Sequence, residues 1–211
     1  MGGVGAPFVV YALPRSRTAW LARFLSYGGW TCHHEVAIQM RSIGDVVELF
    51  RQPRTGTAET GITPGWRLLH HLVPGIRAVV IRRPVDDVVE AMLAVDIGGV
   101  GQYDRALLRR NMEYMNRCLE RIAVESDALV VDYADLDRAK TCSAIFRHCL
   151  PFEFDAAWWE RLRTQNIQAD VKAVMRYYFD NRDAIEHFKA TCKAEMRRLA
   201  RAGAISNRVE A

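Results

Sequence analysis

Short apolar runs alternate along this chain with stretches whose apolar residues recur at helical spacing, and that alternation predicts a parallel sheet covered by helices on both faces. A first strand is expected at about Phe8 to Leu13, followed by a helix from about Thr18 whose Leu21, Phe24 and Leu25 share a face. A short second strand is expected from Trp30 to His33, then a helix near Ser42 to Arg51. The Gly- and Thr-rich run from Thr55 to Gly65 reads as a connection. Thr63 followed by Pro64 suits the N-cap and first turn of a helix ending at Leu72. Arg77 to Ile81 reads as a central strand, and Pro84 opens a helix with Val85, Val88, Val89 and Met92 turned inward. Gly98, Gly99 and Gly101 mark a loop whose backbone freedom works against regular structure. A long helix from about Asp104 to Glu125, a strand at Ala128 to Val131, a helix near Arg138 to Cys149 and helices from Ala156 and Asp170 complete the pattern. The expectation is one α/β domain over residues 1–211, with a central parallel sheet between two layers of helices.

The junction after the first strand carries the chemistry. There the apolar run breaks into Pro14-Arg15-Ser16-Arg17-Thr18 and resumes as a helix. The first N–H groups of such a helix lack partners and its dipole places partial positive charge at that end, so the junction suits an anion. Arg15 and Arg17 add planar, permanently charged donors. A Walker A loop would close with Gly-Lys-[Ser/Thr], whereas the first lysine of this chain is Lys140, which argues against an ordinary ATP or GTP kinase.

Pro14-Arg15-Ser16-Arg17-Thr18 resembles the loop with which sulfotransferases grip the 5′-phosphosulfate of PAPS (3′-phosphoadenosine 5′-phosphosulfate). Two further segments carry the resemblance, in the family's order. The run from Ala78 through Arg82-Arg83-Pro84 to Glu90 is similar to the 3′-phosphate motif, and Ala128 to Leu136 is similar to the strand ending in Tyr-Glu-Asp-Leu, here Asp132-Tyr133-Ala134-Asp135-Leu136. The motif style is that of the protein-tyrosine, heparan and bacterial or phage-type branches. The resemblance spans Phe8 to about Phe154 and implies a three-layer P-loop fold with its core at about 7–154 and a helical extension at about 155–205, together with sulfuryl transfer from PAPS, leaving PAP, to a hydroxyl or phenol of a small molecule or peptide. It places Arg15, Ser16, Arg17 and Thr18 on the 5′ end and Arg82 on the 3′-phosphate, with Tyr133 near the adenine by analogy. Arg15 also takes the position of the loop Lys or Arg that meets the reacting oxygens. The family's loop glycine is replaced by Arg17, which is strained if the backbone there needs φ > 0.

Cys32-His33-His34-Glu35 supplies the candidate bases. In the protein-tyrosine and heparan branches a glutamate at about this distance from the loop acts as general base. Glu35 lies 20 residues after Arg15 and fits that place, with His34 as the other choice. Strand alternation would turn His33 and Glu35 one way and Cys32 and His34 the other. Four consecutive residues cannot all face one ion, so no metal site is expected here.

Glu90 departs from the resemblance, because the family carries a serine eight residues after its arginine. A carboxylate about 4 Å from a phosphate charge is repelled by roughly 4 kcal/mol at an effective dielectric of ~20. Either Arg82 and Arg83 outweigh it, or Glu90 faces solvent, or the donor has a free 3′-OH. The family's lysine-bearing segment is also missing, with Thr60, Thr63 or Arg67 as stand-ins. A phosphotransferase whose donor lacks the 3′-phosphate, and a non-catalytic nucleotide- or anion-binding module, are the alternatives.

Composition narrows the partners. A net charge of +4 is too mild and scattered for a nucleic-acid surface and suits a small anionic ligand. Of the 29 Lys and Arg, only Lys140, Lys172, Lys189 and Lys193 are lysines, so the N-terminal half grips anions with arginine alone. Five cysteines without paired spacing read as reduced thiols in a cytoplasmic setting. No stretch reaches the ~18 apolar residues of a membrane span. The acceptor and the oligomeric state are not written in the sequence.

Overall fold

The computed structural model describes residues 5–95 and 104–205, so the Gly98-Gly99-Gly101 segment lies outside the described residues. In chain order the elements are β1 (Phe8–Ala12), α1 (Thr18–Leu25), β2 (Thr31–His34), α2 (Ile43–Arg51), β3 (Thr55–Glu59), α3 (Trp66–Leu72), β4 (Arg77–Arg82), α4 (Val85–Leu93), α5 (Arg105–Glu125), β5 (Leu129–Asp132), α6 (Ala139–Cys149), α7 (Ala156–Arg163), α8 (Val171–Asp180) and α9 (Arg182–Arg201). The strands form one parallel sheet in the order β2-β3-β1-β4-β5. The molecule is thus a three-layer α/β fold with a parallel central sheet, as the alternating pattern predicts.

β1 is buried on both faces because it lies at the centre of this sheet. Phe8, Val10 and Ala12 pack with α1, α6 and α7 through Trp20, Phe24, Ile145, Phe146 and Leu162. Val9 and Tyr11 pack on the other face with α2 to α5, through Phe50, Leu69, Val88 and Ile122 among others. The connection leaving β1 therefore covers one face, and those leaving its neighbours β3 and β4 cover the other. Ligands of open α/β sheets bind where connections part in this way, at the carboxyl ends of the strands.

Two expectations needed correction. Thr55 to Glu59 is not a connection but β3, buried along its whole length between β1 and β2. Its Thr-Gly-Thr-Ala-Glu sequence lacks bulky side chains because there is no room for them: a Cβ added at Gly56 would stand 2.2 Å from the Phe8 ring. Thr63 does not cap a helix, since Thr63–Gly65 forms a 3-10 turn, α3 starts at Trp66, and the Thr63 hydroxyl is buried without a partner. Elsewhere the local signals hold. Ser42 and Asp45 form a capping box on α2. Asp104, Asp155 and Asp170 cap α5, α7 and α8.

The C-terminal helices are tied to this frame by specific bonds. Trp158 Nε1 donates to the Phe24 carbonyl at 2.9 Å, Trp20 Nε1 to that of Leu162 at 2.9 Å, and Tyr27 to Asp155 at 3.0 Å, which bolts α7 to α1. Arg41 donates to Tyr177 Oη at 2.7 Å and to Asn181 Oδ1 at 3.1 Å, holding the α8–α9 junction against the loop before α2. α9 rests on α3 and on the Thr63–Gly65 turn.

Candidate functional site

The loop after β1 is wound by two left-handed residues, Arg15 and Arg17, each with φ 62°. Side chains pay for that conformation by about 1–3 kcal/mol, so Arg17 occupies the strained position in which the resembling family has glycine. Alternating residues of this kind turn successive N–H groups toward one concavity and form an anion nest, here leading into the free N–H groups of α1. Ser16 is fully buried, and its side chain does not face the cavity. Arg15 donates to Gln168 Oε1 at 3.2 Å. Arg17 pairs with Asp137 and lies over the Trp20 ring at 4.6 Å.

The loop opens into a cavity of about 1480 Å³ at the carboxyl ends of the strands. Arg15, Arg17 and Thr18 line it together with His34, Glu35 and Tyr133. Three separate segments thus meet at one site. His34 and Glu35 face it side by side, while His33 does not, because β2 ends at His34 and Glu35 takes φ 50°, which breaks the strand alternation. Cys32 lies in the core, and all five cysteines are free thiols.

Glu35 is held from behind: the Thr60 N–H donates to its carboxylate at 3.1 and 3.3 Å. Burial pushes its pKa up, while hydrogen bonds from Thr60 and the Gly61 backbone pull it down. Beneath it, Glu59 at the end of β3 is completely buried, and its Oε1 accepts from the Val36 N–H at 2.9 Å and the Thr57 hydroxyl at 2.5 Å. Burial first, and the charge of Glu35 second, push Glu59 up to about 8. The two carboxyls therefore differ in setting: Glu59 is fully buried with Oε2 unpartnered and holds its proton more tightly, while Glu35 has the backbone donors of Thr60 and Gly61 and faces the cavity. His34 Nε2 lies 3.0 Å from the Thr18 hydroxyl, and burial lowers its pKa, so it is neutral and already engaged.

The structure does not bring Arg82 or Glu90 to the cavity. Arg82 is exposed at the end of β4. Glu90 pairs with Arg105 on the exposed face of α4, which lowers its pKa and corresponds to the solvent-facing alternative. The residue that reaches the loop is Arg83, which donates to the Arg15 carbonyl and lies over the Tyr133 ring at 4.2 Å. Alternation explains the exchange: Ile81 faces the α1 side and Val80 the other, so Arg82 follows Val80 and Arg83 follows Ile81 toward the loop. Of the stand-ins for the missing lysine segment, Thr63 is buried away from the cavity and Arg67 lines it while bonded to Glu125 at 2.9 and 2.8 Å. Thr60 lines it as the support of Glu35.

Asn166-Ile167-Gln168, which sequence reasoning left without a role, forms a wall of the cavity, with Gln168 bonded to Arg15. Val171, Val174, Met175 and Tyr178 of α8 continue that wall at helical spacing. Their spacing was visible in the sequence; the surface they cover was not.

No family model and no curated protein matches the chain in sequence. Among solved structures it is similar to a gluconokinase from Sinorhizobium meliloti 1021, with 15% identity, a TM-score of 0.45, and coverage of 76% of this chain and 94% of that one. That degree of likeness assigns neither a family nor an activity.

Proposed function

We propose that this chain is a nucleotide-dependent transferase of the sulfotransferase kind, moving a sulfuryl group from PAPS to a hydroxyl or phenol. The observation that supports this most is the opening of the left-handed Arg15/Arg17 loop and the backbone-supported Glu35 into one cavity. An anion grip and a carboxylate base then flank one space. Arg15, Arg17, Thr18 and the loop N–H groups would hold the 5′ end, with Tyr133 beside the adenosine portion. PAPS, when bound, supplies the sulfuryl group and departs as PAP. In the transfer the sulfur–oxygen bond to the phosphate breaks as one to the acceptor oxygen forms, and Glu35 takes the acceptor's proton. Arg15 and Arg17 stabilise the charge that develops on the departing phosphate. His34 positions the Thr18 hydroxyl.

Two features favour sulfuryl over phosphoryl transfer. The loop has no lysine, and the Thr18 hydroxyl, placed where P-loop kinases hold Mg²⁺, is bonded to His34. One observation favours the second reading, a donor with a free 3′-OH: Arg82 stands off the cavity lining.

Thermal shift with PAP, ADP and ATP separates the two, because a ligand that binds the folded state raises its apparent stability by mass action. PAP is expected to raise Tm more than ADP. Arg15→Ala should abolish the shift while leaving the ligand-free Tm near that of the parent, since Arg15 is half-exposed. Equal shifts by PAP and ADP would favour the free 3′-OH donor.

A further inference from the structure

α9 presents two parallel rows to the cavity, each with a four-residue step: Phe188, Cys192 and Met196, and beside them Lys189, Lys193, Arg197 and Arg201. Residues four apart are neighbours on a helix, so each row is a continuous stripe. The apolar row is half-buried, the cationic row exposed at the rim. Lys189 is bonded to Glu186, but Lys193, Arg197 and Arg201 have no ion-pair partner among the described residues. Among the described residues only Glu35 and Asp137 bring carboxylates to the cavity lining, and both sit at the loop end.

The cavity of about 1480 Å³ also exceeds the ~300–1,000 Å³ of a typical small-ligand site, which leaves room for a second ligand beside a nucleotide. α9 lies over α3 and the Thr63–Gly65 turn, whereas the loop leads into α1 on the opposite face of the sheet. The cations of α9 are thus additional to those that would grip the donor.

We infer that the α8–α9 end of the cavity binds an amphiphilic acceptor, with an apolar body against Val174, Met175, Phe188 and Met196 and an anionic end group held by Lys193 and Arg197. The inference depends on the proposed function only for the acceptor's hydroxyl, which Glu35 would deprotonate. An alkyl chain loses water against the apolar stripe, and a carboxylate at its end meets unpaired cations at the rim.

Titration calorimetry with 10-hydroxydecanoate, decane-1,10-diol and 10-aminodecan-1-ol tests this on the full chain, with and without PAP. The hydroxy acid should bind about tenfold more tightly than the diol, the scale of a charge-assisted contact, and the amino alcohol most weakly. Lys193→Glu with Arg197→Glu should erase the preference for the acid while leaving diol and PAP affinity unchanged. These residues are exposed, and a melting curve of the double variant checks its fold. Phe188→Asp should weaken acid and diol alike. Equal binding of acid and diol, absence of acid binding, or an acid preference that survives the double reversal would overturn the inference. Failure of PAP to bind while the hydroxy acid binds would overturn the donor assignment and support the amphiphile site.

Discussion

Glu35 owes its chemistry to a backbone angle. With φ 50° it leaves the strand alternation and joins His34 on the cavity wall, where the Thr60 N–H fixes the carboxylate from behind and leaves its other side open. Glu35→Gln keeps the shape and an acceptor for that N–H while removing the base. Turnover is expected to fall by about 10²–10⁴-fold with nucleotide affinity nearly unchanged. Burial raises the pKa of Glu35, so the acid limb of the kcat/KM profile should lie above the ordinary carboxylate range and vanish in the variant. Unchanged turnover in Glu35→Gln would transfer the role to His34. At this scale the sequence was informative about residue types, since Arg15, Arg17, Thr18, His34, Glu35 and Tyr133 do share one cavity. Arg82 lies off the cavity lining while Arg83 contacts the loop, because a motif matched by position does not say which face of a strand each arginine leaves.

β3 shows what pattern reading misses at the scale of an element. Apolar runs announce buried strands, and β1, β4 and β5, with the amphipathic helices α1, α4 and α5 beside them, were legible for that reason. Thr55-Gly56-Thr57-Ala58-Glu59 has the composition of a loop but lies fully buried between two strands. Small side chains are what its neighbours require there. Phe8 fills the space over Gly56, and the Thr57 hydroxyl is taken up by the His33 carbonyl and Glu59. Gly56→Ala would drive a methyl into the Phe8 ring, and a stability loss of about 1–3 kcal/mol is expected, the usual range for overpacking. Urea unfolding measures it. Because Glu59 and the turn at Thr60 follow directly, the same variant should also weaken the support of Glu35. Phe8→Leu, which shortens the obstructing side chain, should recover part of the loss in the double variant.

Over the whole molecule, the loop, the paired carboxylates and the C-terminal helices enclose one cavity, and the enclosure was the least legible property of the chain. Amphipathic spacing in α8 and α9 shows that each helix has an apolar side but not what it faces; the bonds from Arg41 to Tyr177 and Asn181 that orient the pair join residues far apart in sequence. The buried carboxyl beneath this enclosure gives a global signature. Glu59 titrates near 8 in the fold, against 4.5 as its ordinary value. The folded state therefore binds an extra proton between those values, and its contribution is fully present below pH ~4.5 and lost as pH rises through ~8. The slope cannot exceed about 1.4 kcal/mol per pH unit for one group. The contribution of Glu59 to stability should accordingly decline from pH 5 to pH 9. Glu59→Gln, neutral at every pH and still able to accept from Val36 and Thr57 through its amide oxygen, should flatten that decline, so its Tm matches the parent near pH 5 and exceeds it near pH 9. Parallel curves for the two proteins would show that Glu59 is ionised in the fold and that another group holds the proton.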